Sequence, residues 1–162
     1  MNTIITIARQ FGSGGHEIGE KVAQRFDIKF YDKELLTRVA KESGFCEEMI
    51  ECHDERPTNS FLYNLVMDTY SFGYNASSFM DMPISHKIFL AQFDTIKKIA
   101  QEGPCVIVGR CADYALQDFK NCVHFFIFAD ADTKAKRLMK KYDVTDEKAR
   151  DMMVKKDKQR QS

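Results

Sequence analysis

The chain has 162 residues, 24 Lys+Arg against 24 Asp+Glu, and 44% apolar residues. That length and apolar share fit one domain with a real core, and zero formal net charge excludes a global field drawing the protein to nucleic acid or a membrane surface. Any anion recognition must therefore be local. No run approaches the ~18 apolar residues of a membrane span, so the sequence reads as cytoplasmic. The five cysteines (46, 52, 105, 111 and 122) are odd in number and lack CxxC spacing. Three flank or sit in apolar runs, which predicts buried free thiols in a reducing compartment and no metal.

In chain order, the first element is an apolar strand over Thr3–Ala8. It ends in a glycine cluster, Gly12, Gly14 and Gly15, and a helix is predicted from Gly15 to Phe26 with Ile18, Val22 and Phe26 inward. Glycines let backbone approach an anion closely, and a helix N-terminus offers unpaired N–H groups and a positive dipole end. Residues Gly12, Ser13, Gly14, Gly15 and His16 therefore read as a phosphate cradle. A standard phosphate loop runs G-x-x-x-x-G-K-[ST]. Laid on this loop, the lysine position holds Gly15, the hydroxyl position His16, and Arg9 stands at the first glycine. A dinucleotide fingerprint fits worse, because its third glycine falls on Glu17. The missing cation must come from elsewhere, and Arg9 is the candidate.

A short strand, Ile28–Tyr31, follows, and Asp32 is placed to cap a helix with Leu35, Leu36 and Val39 inward. Residues 44–102 change character and read as a helical insertion, with helices at 46–53, 58–70 and 85–102 and a turn over Ser71–Pro83. Cys105–Val108 and Val123–Phe128 are near-continuous apolar runs, the pattern of strands covered on both faces. Asp130 or Asp132 caps the next helix and Thr145 the last. The order predicts an α/β fold: a parallel sheet between two helical layers, core 1–43 and 103–162, insertion 44–102. Ligands in such sheets bind at the carboxyl ends of the strands, where Arg9, Asp32 and Arg110 should converge. Arg38 and Asp113 lie further along the elements that follow. The basic run over residues 155–160, with Lys156 and Arg160, reads as a lid near 145–162. His53, His86 and His124 show no metal-ligand spacing.

These pieces together resemble the cytidylate kinase-like family of P-loop nucleoside monophosphate kinases. The most specific element is the altered loop from Ala8 to Gly19. The segment from Phe30 to Leu36, with Tyr31-Asp32, is similar to the one preceding the nucleotide-binding helix in cytidylate kinases. Arg38 falls where those enzymes keep a monophosphate-binding arginine, Gly109-Arg110 matches their Gly-Arg after the third strand, and Asp157 and Arg160 look like part of the lid pattern. The resemblance implies a Rossmann-like three-layer P-loop NTPase fold. It implies transfer of the ATP γ-phosphate to (d)CMP or a related monophosphate with ATP and Mg2+. Arg9, Arg110, Asp32 and Arg160 would be catalytic, and Arg38, Arg110 and Asp113 would hold the acceptor. Such kinases continue past the lid helix into one more strand and a terminal helix, so the resemblance also implies a sheet edge left open after Ser162. Residues 44–100 do not match the family's substrate domain. Two other classes stay open: a nucleotide-binding sensor without catalysis, and an interaction module whose residues 44–100 form a partner or homodimer surface.

Overall fold

The structure is a computed structural model and describes residues 3–53 and 83–161. The predicted helix at 58–70 and nearly all of the Ser71–Pro83 turn lie outside the described residues. Four strands lie among the described residues: β1 (Ile4–Arg9), β2 (Lys29–Tyr31), β3 (Cys105–Val108) and β4 (Cys122–Ile127). They form one parallel sheet in the order β2-β3-β1-β4. The helices are α1 (Gly15–Phe26), α2 (Glu34–Ser43), α3 (Glu47–His53), α4 (Ile84–Glu102), α5 (Ala112–Ala115), α6 (Ala131–Tyr142) and α7 (Asp146–Gln161).

Strand alternation builds the layers. Ile4, Cys105 and Ile107 face a core made with Leu35, Leu36 and Val39 of α2, Ile50 of α3, Phe93 and Ile96 of α4, and Ala112 and Ala115 of α5. The intervening residues Ile7, Val106 and Val108 face Ala23 of α1. The α/β three-layer expectation holds, and Leu35, Leu36 and Val39 are buried as expected.

The face of α1 corrects the sequence reading. Ile18 and Phe26 are exposed, and the buried series is Gly15, Gly19 and Ala23. The cause is close approach. A Cβ at Gly19 would stand 2.9 Å from Val108 and 3.2 Å from Ile7, so α1 lies directly on the sheet with no room for large side chains. Of the apolar i, i+4 series at 18, 22 and 26, Val22 packs half-buried against this core, whereas Ile18 and Phe26 are exposed.

β4 is a second correction. Its residues read as a strand covered on both faces, yet Val123, Phe125 and Phe126 are exposed, and so is Phe128 just beyond it. Among the described residues β4 pairs only with β1, at the edge of the sheet, so burial of an apolar run does not follow from its composition. The thiols differ as well: among the five free cysteines only Cys105 is buried, where burial pushes it up to about 12. Cys46, Cys52 and Cys111 are exposed.

Candidate phosphate-binding site

The loop between β1 and α1 is the candidate anion cradle. Gly12 and Gly14 take left-handed backbone (φ 82° and 86°), conformations that favour glycine. Gly14 is the N-cap of α1 and Gly15 its first residue. The first helical i→i−4 bond runs from the Ile18 N–H to the Gly14 carbonyl (3.0 Å). The N–H groups from Gly14 to Glu17 precede it and lie at the positive end of the helix dipole. Ser13 is turned inward: its N–H (3.3 Å) and hydroxyl (2.8 Å) both donate to the Gln10 carbonyl.

Arg9 fills the space beside Gly15. It is the last residue of β1, and its side chain runs over Gly15. A Cβ on Gly15 would sit 2.5 Å from the Arg9 Cβ and 3.0 Å from its Cγ. The same side chain ends against Gly109, whose positive φ of 75° and missing Cβ leave room for the guanidinium. Arg9 therefore fills the space that a side chain at position 15 would need, and carries its charge from β1 to the end of β3.

Asp32 and Arg110 meet at the same end of the sheet. The Arg110 guanidinium, with its side chain 3% exposed, donates to Asp32 Oδ1 (2.6 Å). The His16 Nδ1 lies 2.5 Å from Asp32 Oδ2. Burial pushes the Asp32 carboxyl up, but the Arg110 hydrogen bond and charge, the His16 hydrogen bond and the Arg9 charge outweigh it and hold it below the usual aspartate value. An ionised carboxylate only accepts, so Nδ1 is the protonated nitrogen of His16. This use of Asp32 replaces the expected cap: the N-cap of α2 is Lys33, with no side-chain bond.

A third group comes from α6 and α7. Lys134 is buried beside Gly12 and donates to Gln10 Oε1 (3.1 Å) and Asp157 Oδ2 (3.3 Å). Asp157 Oδ1 accepts the Phe11 N–H (2.6 Å), and the Arg160 guanidinium lies 5.5 Å from the Phe11 ring centre. The predicted lid helix is thus docked on the loop, with Lys156 on its exposed side. Arg137 covers Gly14, its Nη2 3.0 Å from where a Cβ would be, and pairs with Glu17 (2.7 Å). Sequence reasoning missed Lys134 and Arg137. Five cations lie on α6, and only the burial of Ala135 and Leu138 shows which of them face the loop.

Two predicted residues are not brought to this site. Arg38 pairs with Glu42 (2.8 Å) on α2 and with Glu102 at the end of α4. Those ion pairs tie α2 to the end of α4. Arg38→Ala is expected to lower the thermal midpoint slightly and leave nucleotide affinity unchanged, since exposed ion pairs contribute little. Asp113 stands exposed on α5, where its charge helps push the Cys122 thiol up to about 11, after the larger effect of burial.

The model of the cytidylate kinase-like family matches residues 4–162. The chain belongs to the cytidylate kinase-like family. A solved structure, that of an uncharacterized protein from Eubacterium ventriosum ATCC 27560, shares 34% identity and a TM-score of 0.67. The match covers 98% of this chain and 73% of that one. Comparison with curated proteins finds no match. Family membership makes the chain nucleotide kinase-like, with nucleotides as its ligands. Among the described residues no helix is long and apolar enough to cross a membrane.

This family membership implies a nucleotide-bound magnesium ion, and the loop's donor set does not suit it. Mg2+ prefers oxygen ligands. Both oxygens of Asp32 and both of Asp157 are engaged, Ser13 is turned to Gln10, and Glu17 pairs with Arg137. The hydroxyl position offers an imidazole nitrogen instead.

The glycine geometry gives a direct prediction. Gly14→Val should abolish nucleotide binding, because it needs a strained φ and displaces Arg137. The fold should persist, since the Gly19 and Ala23 contacts of α1 are untouched. Circular dichroism and a nucleotide titration on the same sample check both halves.

Proposed function

We propose that this cytidylate kinase-like protein transfers the γ-phosphoryl group of ATP to (d)CMP or a related nucleoside monophosphate. The observation that supports this most is the path of Arg9 through the space of a side chain at Gly15. The loop lacks the usual lysine because another cation from the preceding strand occupies its place.

Phosphoryl transfer asks for alignment and for neutralisation of charge on the moving group. In this reading the N–H groups at the start of α1 bind the donor phosphates. Arg9, Arg137 and Lys134 supply fixed positive charge around them. The acceptor phosphate oxygen attacks the γ-phosphorus in line, and the bond to the leaving ADP oxygen breaks. Negative charge then gathers on the β-phosphate, against the loop N–H groups. Arg110, held by Asp32, faces the acceptor side, and Arg160 approaches from α7. ATP enters as its metal complex, so the cation is part of the substrate.

A coupled ADP-release assay with CMP, dCMP, UMP, AMP and GMP tests the proposal. Turnover is expected with CMP or a related monophosphate. ATP binding without turnover on any of the five would replace the kinase by a nucleotide sensor. Arg110→Ala should lower turnover by about 10³-fold if its guanidinium acts on the transferred group, with a much smaller effect on ATP affinity.

A further inference from the structure

Asp157 sits at the loop in the manner of an anionic ligand. Its Oδ1 accepts the Phe11 N–H (2.6 Å), and its Oδ2 accepts from the Lys134 Nζ (3.3 Å). The Lys134 side chain is 9% exposed and that of Asp157 18%. Lys134 also donates to Gln10 Oε1 (3.1 Å), and its Cβ lies 3.2 Å from where a Cβ on Gly12 would stand. A loop N–H next to a positive-φ glycine, together with a buried ammonium, is a donor set that suits a phosphate oxygen as well as a carboxylate. Here a side chain of the same chain fills it.

The packing of α7 makes this contact separable from the rest of the helix. Ala149 and Met153 are buried with Ala135 and Leu138 of α6. After Met153 the described residues of α7 are exposed or half-buried, with Val154, Lys155, Lys156 and Lys158 on the exposed side. Asp157 ties this last part of the helix to the loop, together with Arg160, whose guanidinium lies over the Phe11 ring.

We propose that Asp157 is an internal competitor of the donor's phosphate chain: a phosphate takes the Phe11 N–H and Lys134 from it, and the end of α7 is released as the nucleotide binds. This rests on the phosphate-binding reading of the loop given above. The Phe11 N–H serves one strong acceptor at a time, and the carboxylate charge beside it repels an incoming phosphate. Lys134 is never left buried without an anion, because the phosphate replaces the carboxylate. The apparent affinity of the loop is lowered in proportion to the fraction of molecules in which Asp157 has left its seat.

The test is titration of inorganic pyrophosphate into the full chain and into Asp157→Asn at one ionic strength, with circular dichroism of both. Asparagine keeps an oxygen for the Phe11 N–H and removes the charge. Asp157→Asn should bind pyrophosphate about tenfold more tightly than wild type, the scale on which one charge acts at short range in a partly screened site. Trypsin gives a second reading that needs no variant. Saturating pyrophosphate should speed cleavage of wild-type α7 at Lys155 and Lys158 several-fold relative to sites elsewhere in the chain. Equal or weaker binding by a folded Asp157→Asn, or α7 cleavage that pyrophosphate slows or leaves unchanged, overturns this inference and leaves the loop as a phosphate site. No pyrophosphate binding by either protein overturns the phosphate-binding reading as well.

Discussion

Asp32→Asn should destabilise the protein by about 3–5 kcal/mol, the range for removing one partner of a buried ion pair. The cost arises because the Arg110 guanidinium stays buried with its main acceptor neutralised. His16 loses its orienting carboxylate in the same step. The pH dependence gives this prediction its signature. The folded carboxyl titrates below its unfolded value, which is about 3.9. Its contribution is therefore fully present above the unfolded value and is lost as pH falls through the folded one. Urea midpoints should separate wild type from Asp32→Asn by a constant amount above about pH 5, and the two should draw together below about pH 4. A gap that stays constant into acid would mean that the carboxylate charge is not what stabilises the wild type.

Restoring the missing lysine should harm the protein. Gly15→Lys places a Cβ 2.5 Å from the Arg9 Cβ, so the strand residue must move. Overpacking of this kind costs about 1–3 kcal/mol, and displaced Arg9 would leave the loop's cation out of position. We expect nucleotide affinity to fall tenfold or more in Gly15→Lys. Arg9→Gly made in the same chain should recover much of it, because the new lysine then has both the space and the role. Each single change weakens binding while the pair is milder than their sum, which a double-mutant cycle reads as a strong coupling between neighbours. A Gly15→Lys protein that binds ADP better than wild type with Arg9 intact would contradict the steric account.

The strand–loop–helix turn was legible in the sequence because a glycine cluster directly after an apolar strand lets the chain take positive φ before a helix starts, as Gly12 and Gly14 do. The β-α alternation likewise identified the parallel sheet and its two helical layers, and Asp32 and Arg110 were assigned to its carboxyl edge from their positions just after strands. The phase of α1 was not legible. Its inward face is made of Gly15, Gly19 and Ala23, and small residues leave no hydrophobic signal. The exposure of β4 was hidden for a different reason: strand order decides which apolar run is an edge, and order is a long-range property. Lys134 and Arg137 were lost among the cations of α6 for want of packing information. Arg38 was assigned to the acceptor through the family resemblance, and its acidic partner Glu102 lies 64 residues further along the chain. Its pairing depends on how α2 packs beside α4.

In the proposed reaction Arg9 supplies the charge that Gly15 cannot. Calorimetric titration of inorganic pyrophosphate into wild type and Arg9→Ala tests it without involving base, sugar or acceptor. The wild-type protein should bind, with competition from ADP, and Arg9→Ala should bind about ten- to a hundredfold more weakly, as expected for loss of a hydrogen bond to a charged group. Equal pyrophosphate affinity in the two proteins, with Arg9→Ala still folded, would contradict the account.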